Sequence, residues 1–275
     1  MDWIIQLQML GYGLLAGVLG GVLGIGGGVV YVVVLPAALL SMGVRTDEVV
    51  AFTIANSIFS TVFTTLSGNI KLFYDKNFHS RIILYISVTG IVTSILLLYN
   101  FVNTPYYSKN LFNAIFLGML GFMMVRLVMK SIQQSNGEEL TYLPKDNAGA
   151  LIRTGLLAGA VSPLTGLGGG LVIVPVLHSF LRFPIKQANA ISLGVIGITS
   201  VASSIFNMTE HPISHVHQYQ LGYIIFPVVA ALSIGGMIGS VLGLSISKKL
   251  KPEWITLLFA SFLLLIIIKK LVEIF

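Results

Sequence analysis

Two short glycine motifs are the residues of this chain best suited by type and spacing to bind a ligand. Residues Gly24–Gly28 read GIGGG, and 142 positions later Gly166–Gly170 read GLGGG. Glycine triplets interrupt helices and let a ligand approach the backbone closely. The N–H groups that start a new helix attract negative charge. The two motifs therefore predict two turns, one in each half of the chain, that hold an anion through the backbone.

Hydroxyl and amide side chains near the motifs, or in the segment that follows each of them, can add hydrogen-bond donors. Ser60-Thr61 aligns with Thr199-Ser200 when the halves are superposed at a shift of 139. The predicted substrate-binding residues are Gly26, Gly27, Gly28, Thr53, Asn56, Ser57, Ser162, Thr165, Gly168, Gly169, Gly170, Ser192, Thr199 and Ser200.

Acidic residues are confined to loops, segment ends and termini, so no carboxylate is expected inside a span. Cation channels and proton pumps normally need one there, whereas an interior of neutral donors suits a small anion. The chain has no cysteine, no phosphate-binding lysine after a glycine motif and no acid placed to complete a triad with His178. These observations predict no enzymatic activity, no cofactor and no metal site.

The histidines leave two alternatives open. His178 is either a proton-coupling group or, as we favour, an interfacial residue that caps its segment. His211, His215 and His217 share a loop with Glu210, and their spacing is compatible with a metal. Without a further ligand to fix the geometry, we favour a solvated loop.

The composition indicates a polytopic membrane protein. Of 275 residues, 55% are hydrophobic and 9% charged, compared with about a quarter charged in soluble domains. The net charge of +6 comes from lysines and arginines at the ends of apolar runs, which predicts contact with a lipid bilayer and no nucleic-acid partner. The apolar segments cover approximately 9–40, 49–66, 81–101, 111–131, 150–181, 187–208, 220–246 and 253–272.

A polar stretch divides the chain into two similar parts. We predict a first transmembrane repeat at 1–130, a cytoplasmic linker at 131–149 and a second repeat at 150–275. Each repeat begins with a glycine-rich segment of more than 30 residues, which is too long for one straight span. Glycines four residues apart, among them Gly13/Gly17, Gly155/Gly159 and Gly235/Gly239, are expected to pack helices closely.

Positive charge decides how the glycine segments cross. If each enters the membrane, turns at its motif and returns, most lysines and arginines share one face, as the positive-inside rule requires. Arg45, Lys109, Lys269 and Lys270 then remain on the other. This arrangement predicts an all-α protein of two inverted repeats, each a broken, glycine-rich re-entrant hairpin of two short half-helices followed by three transmembrane helices. Paired breaks of this kind are typical of secondary-transporter binding sites.

The doubled pattern resembles the TauE/SafE family of sulfite exporter-like permeases. The first copy is Gly13–Pro36 with Ala51-Phe52-Thr53, and the second is Gly155–Pro175 with Ala190-Ile191-Ser192. Phe52 and Ile191 stand where the family's second motif usually has glycine. The resemblance implies a bacterial inner-membrane, multi-pass permease for sulfite, sulfoacetate or another organosulfonate.

The leading hypothesis is therefore a secondary transporter, an exporter of a small sulfur-containing anion, that works by alternating access around the paired hairpins. A homodimer is compatible with this hypothesis. Two alternatives remain open at this point: a passive anion channel that uses the same turns as a filter, and a membrane assembly or sensor subunit that moves no solute.

Overall fold

The computed structural model describes residues 3–75, 79–104, 106–135 and 147–274. The helices are α1 (Trp3–Leu23), α2 (Gly28–Ser41), α3 (Val49–Tyr74), α4 (Ser80–Leu97), α5 (Lys109–Ser135), α6 (Ala148–Thr165), α7 (Gly170–Pro175), α8 (Ile185–Thr209), α9 (Phe226–Lys249) and α10 (Pro252–Ile274). Turns of π-helix extend α4 over Leu98–Val102 and α7 over Val176–Phe180. The middle of the predicted linker, 136–146, lies outside the described residues, and its first residues belong to α5.

Six helices in the described part of the chain are long and apolar enough to cross a membrane. They begin at Ile5, Val49, Ser80, Ala148, Ile185 and Phe226. Two further apolar helices, Gly28–Ser41 and Gly170–Phe180, are shorter than a span requires. The chain therefore has the fold of a helical, multi-pass membrane protein.

The segment predicted at 220–246 differs from a continuous span. It opens with a two-stranded antiparallel hairpin, β1 (Gln220–Leu221) and β2 (Ile224–Ile225), and only then becomes α9. Gly222 takes a positive φ of 56° in the turn, and a proline stands in the first turn of α9. The glycine favours the turn of the hairpin, and the proline favours the start of a helix directly after it.

Each glycine motif joins two antiparallel helices. Residues Ile5–Tyr12 of α1 and Val33–Ser41 of α2 line one groove, so the chain returns to the end of the molecule where α1 began. In the second half, Leu151 of α6 shares a buried cluster with Leu177 and Phe183, which follow α7. The first arms are longer than the short half-helices expected from sequence, because α1 has 21 residues and α6 has 18.

The long first arms pack closely on helices of the opposite half. A Cβ atom on Gly13 would overlap the carbonyl oxygen of Leu232 in α9, and one on Gly17 would overlap that of Gly236. In the same way, a Cβ on Gly159 of α6 would overlap the carbonyl oxygen of Gly90 in α4. The packing role predicted for these glycines is confirmed, and it explains the length of the arms. Small residues let two helix backbones approach along their whole contact.

The centre of the molecule is the crossing of α3 and α8, which are the most deeply buried of the six long helices. Both helices carry runs of buried hydroxyl and amide side chains, and both contact the glycine turns near their own midpoints. The turns therefore lie in the interior, enclosed by elements of both halves.

Candidate functional site

The two glycine motifs have the same backbone conformation. In the first turn φ is +72° at Gly24, +72° at Gly26 and +83° at Gly27. In the second turn the equivalent positions are Gly166, Gly168 and Gly169, with φ of +72°, +69° and +79°. L-residues with side chains rarely adopt these values. The repeated sequence thus encodes a repeated geometry, with α2 and α7 starting immediately after each turn.

The two turns contact each other through their backbones. A Cβ atom on Gly28 would lie 3.0 Å from the carbonyl oxygen of Gly166, and one on Gly170 would lie 2.9 Å from the Cα of Ile25. There is no room for a side chain at either position. The last glycine of each motif is therefore needed for the close approach of the two halves, in addition to any role with a ligand.

Serines from the crossing helices hold the turns in place. Ser57 of α3 donates a hydrogen bond to the carbonyl oxygen of Gly166 at 2.8 Å. Ser192 of α8 donates one to the carbonyl oxygen of Gly24 at 2.7 Å, and the Asn189 amide donates to Val22 at 3.0 Å. In this conformation the hydroxyl protons of the two predicted site residues Ser57 and Ser192 point at protein carbonyls.

Two other hydroxyl-bearing side chains, Thr61 and Ser200, lie beside the turns. A Cβ on Gly26 would lie 3.0 Å from the Thr61 methyl group, and one on Gly168 would lie 3.6 Å from the same methyl and 3.7 Å from Ser200 Oγ. Thr61 Oγ1 and Ser200 Oγ are fully buried and have no hydrogen-bond partner among the described residues. Buried polar atoms are nearly always paired, so two unpaired hydroxyl groups beside the turns are candidates for contact with a ligand or water.

Ser200 was predicted, whereas Thr61 was missed. The signal for Thr61 was present in the alignment of Ser60-Thr61 with Thr199-Ser200. Ile196, which was also missed, lies between the turns: its Cγ2 is 3.1 Å from a Cβ built on Gly26 and 2.7 Å from one built on Gly168. An apolar side chain at this point carries no sequence signal for binding.

The remaining predicted side chains are not all directed at the turns. Thr53, Thr165 and Thr199 donate to carbonyl oxygens of their own helices, four residues earlier. Ser162 lies one helical turn before Gly166, whose N–H donates to its carbonyl oxygen at 2.8 Å, and the Ser162 hydroxyl is buried without a partner among the described residues. Ser162 and Ser200 are thus the two predicted side chains with a free donor near a glycine motif.

Asn56 binds the β-hairpin. Its Nδ2 donates to the carbonyl oxygens of Phe52 at 2.7 Å and Tyr223 at 2.8 Å, and its Oδ1 accepts from the N–H of Ile225 at 2.9 Å. Both amide protons are engaged, so Asn56 offers no donor to a ligand in this conformation. The rings of Phe52 and Tyr223 add an edge-to-face contact with centroids 5.1 Å apart.

Glu48 fixes the loop that leads to the hairpin. Its carboxylate accepts hydrogen bonds from the N–H groups of Ile213 at 2.7 Å and Ser214 at 2.8 Å. Burial, with the nearby charges of Glu48 and Glu210, raises the pKa of Tyr223 to about 12, so its phenol is neutral at physiological pH. The hairpin and its loop thus form a cover over one end of α3, which we call the hairpin cover (residues 213–225).

The histidines do not converge on the turns. His178 is buried, and its Nδ1 lies 2.7 Å from the carbonyl oxygen of Phe183, so it closes the loop after the π-helical turn. His211 and His215 are exposed, and His217 Nδ1 accepts from the N–H of Tyr219 at 3.1 Å. Among the described residues, no three of His, Cys, Asp and Glu group as a metal site would require.

Similarity to known proteins extends over most of the chain. The family model for sulfite exporter TauE/SafE matches residues 9–270. A probable membrane transporter protein of Methanocaldococcus jannaschii is 26% identical over 91% of this chain and 90% of its own length. The probable membrane transporter protein YunE of Bacillus subtilis is 26% identical over 92% of this chain and 93% of its own. A probable membrane transporter protein of Haemophilus influenzae is 27% identical over 95% of this chain and 96% of its own length.

No solved structure matches the chain significantly. The family match, in contrast, covers nearly its whole length, including both glycine turns, α3 and α8. The three relatives are named as probable membrane transporter proteins and are matched over 90% or more of their length. The chain belongs to the sulfite exporter TauE/SafE family of membrane transporters.

Proposed function

We propose that the chain is a secondary transporter, and specifically an exporter, of a small sulfur-containing anion such as sulfite or an organosulfonate. The observation that carries the proposal is the buried meeting of the two glycine turns beside the unpartnered hydroxyls of Thr61 and Ser200. These groups offer neutral donors, which suit an oxoanion. The name of the family, sulfite exporter, is the reason to propose an anion that contains sulfur.

In this proposal the substrate occupies the space bounded by Gly26, Gly168, Thr61 and Ser200, and the halves rock about it. The described conformation is closed, since all four residues are buried. The hairpin cover is the element that opens the path at one end. The backbone of α2, which starts at Gly28, contributes N–H groups and the positive end of its dipole.

We also propose that the two halves form an inverted repeat with re-entrant glycine hairpins, one of the arrangements from which secondary transporters are built. The exchange of packing partners supports it, because α1 packs on α9 while its counterpart α6 packs on α4. The return of α2 to the end where α1 begins also supports it. We place the protein in the bacterial inner membrane with the linker in the cytoplasm.

Counterflow in proteoliposomes tests the function. Vesicles loaded with unlabelled sulfite or methanesulfonate should accumulate the labelled anion transiently, because a carrier exchanges substrate faster than it returns empty. Saturable flux with trans-stimulation supports the transporter. Flux without saturation or trans-stimulation would identify a passive channel, and the absence of flux for every organosulfur anion would favour the assembly or sensor subunit.

Single cysteines test the topology, because the native chain contains none. His215 in the loop of the hairpin cover and Lys251 between α9 and α10 are both exposed. On intact cells, an impermeant thiol reagent should label His215→Cys and leave Lys251→Cys unlabelled until the cells are opened. Labelling of both from outside would contradict the proposed arrangement.

A further inference from the structure

The interior of this protein is rich in polar groups and poor in charge. Among the described residues, the buried polar side chains are hydroxyls and amides with one histidine, His178, and no lysine, arginine, aspartate or glutamate is buried. His178 is held at the end of the π-helical turn, facing the Phe183 carbonyl. The described surroundings of the glycine turns therefore consist of neutral dipoles and apolar groups, among them the Ile196 side chain and the Thr61 methyl group.

The nearest ionised side chains along the crossing helices are far from this space. Lys71 follows Thr61 by ten residues, about 15 Å along a helix. Its ammonium group donates to Ser245 and, at 3.0 Å, to the carbonyl oxygen of Val241. Glu210 follows Ser200 by ten residues at the end of α8. No lysine or arginine of the two crossing helices is thus placed to neutralise a second negative charge on a bound ligand.

The number of charges on a ligand then decides whether it can bind. The cost of removing an ion from water grows with the square of its charge, so a dianion costs about four times as much as a monoanion of equal size. Its attraction to neutral donors grows only in proportion to the charge. A site of hydroxyl and backbone N–H donors therefore accommodates one negative charge far better than two.

We infer that the transported species is the singly charged form of the sulfur anion, either hydrogen sulfite or a sulfonate with a single negative charge. The inference rests on the proposed function and narrows its substrate. The doubly charged ions are excluded, among them sulfite, sulfate and also sulfoacetate, whose carboxylate adds a second charge to the sulfonate. Each transported sulfur carries one negative charge across the membrane.

The test compares three anions in proteoliposomes made with the full-length protein. Methanesulfonate keeps one charge at every working pH, sulfate keeps two, and sulfite passes from one to two as the pH rises through neutrality. Methanesulfonate flux should be saturable and nearly independent of pH. Sulfite flux should fall with its singly charged fraction, approaching tenfold per pH unit on the alkaline side. Sulfate should move at least about a hundredfold more slowly.

The outcomes separate this inference from the proposed function. Protein-free vesicles give the leak of sulfur dioxide and set the baseline at each pH. Sulfate flux comparable to that of methanesulfonate, or sulfite flux that rises with pH, would overturn the charge inference and leave the transporter intact. Absence of flux for all three anions would overturn the proposed function, and this inference with it. A reversal potential that corresponds to one charge moved per methanesulfonate would support both the proposed function and the charge inference.

Discussion

Ser57 in the first half of the chain donates a hydrogen bond to the carbonyl oxygen of Gly166 in the second, with Oγ and O 2.8 Å apart. Ser192 does the reverse, donating to Gly24 in the first half at 2.7 Å. Each glycine turn is thus fixed by a hydroxyl group from the opposite half. A relative movement of the halves must break or exchange these bonds, which couples the geometry of the turns to any change in conformation.

Removing either serine hydroxyl should loosen a turn. Ser57→Ala and Ser192→Ala should each lower the free energy of unfolding by about 1–3 kcal/mol, because the buried Gly166 or Gly24 carbonyl loses its partner. Thermal unfolding in detergent measures this. Ser261→Ala is the control, since its exposed hydroxyl bonds only within α10. Equal stability of all three variants would show that the turns do not depend on the crossing helices.

The unpartnered hydroxyl groups of Thr61 and Ser200 should donate hydrogen bonds to the bound anion. Thr61→Val and Ser200→Ala should raise the KM for transport roughly tenfold or more, since a hydrogen bond to a charged group contributes about 1.5–3 kcal/mol. Stability should hardly change, because neither hydroxyl has a hydrogen-bond partner among the described residues. Thr93→Val, whose hydroxyl bonds within α4, serves as the control. An unchanged KM in both variants would place the ligand elsewhere.

The turn glycines should not tolerate substitution by alanine, for two reasons. Gly27→Ala and Gly169→Ala should abolish transport, because alanine at a positive φ costs about 1 kcal/mol or more and its methyl blocks approach to the backbone. In each case the new Cβ would also crowd a carbonyl oxygen, that of Ala16 at 3.0 Å or Ala158 at 2.8 Å. Flux and yield of purified protein are measured together, and full specific activity would contradict a role in the site.

Two glycines on α1 provide a matched pair for the packing argument. Gly13 faces the α9 backbone, whereas no atom in the described part of the chain lies within 4 Å of a Cβ on Gly11. Gly13→Ala should therefore lower the melting temperature. Gly11→Ala should leave it unchanged or raise it, since alanine is favoured over glycine in a helix by up to about 1 kcal/mol. Similar losses in both would show that α1 does not depend on close contact with α9.

The hairpin cover should open when its anchor is weakened. The two carboxylate oxygens of Glu48 accept hydrogen bonds from the N–H groups of Ile213 and Ser214. Glu48→Gln removes the negative charge and replaces one of these acceptor oxygens by an amide group. Hydrogen exchange at these two amides should accelerate severalfold. The neighbouring Asp47→Asn is the control, because that carboxylate pairs with Arg45 on the exposed surface. Unchanged exchange in Glu48→Gln would show that the loop is held by other contacts.

The membrane class, most helix positions and the two turns could be predicted, because each leaves a local mark in sequence. Apolar runs define spans, and the GIGGG and GLGGG motifs define positive-φ turns at Gly26, Gly27, Gly168 and Gly169. The shift between the halves falls from 142 at the glycine motifs to 139 at the hydroxyl pairs, a difference of three residues. The difference lies in the second arm of each hairpin: α2 has 14 residues, whereas α7 has six followed by a π-helical turn of five.

The partners of individual side chains could not be predicted. Thr53, Ser57 and Asn56 look alike as polar residues on one helix, yet they bond to the helix itself, to the opposite turn and to the hairpin. These hydrogen-bond partners depend on how segments more than 100 residues apart pack together. A local sequence pattern contains no information about that packing. The hairpin was missed for the same reason, because its strands have two residues each and lie within an apolar run.

The central claim is that the ligand binds between the two glycine turns, and substrate protection tests it most directly. Thr61→Cys and Ser200→Cys, in a chain without native cysteine, are exposed to a small thiol reagent while the protein transports. The account predicts that methanesulfonate slows modification of both variants in a saturable way and that modification stops transport. Modification that stops transport but proceeds at the same rate with and without saturating substrate would contradict a site between the turns.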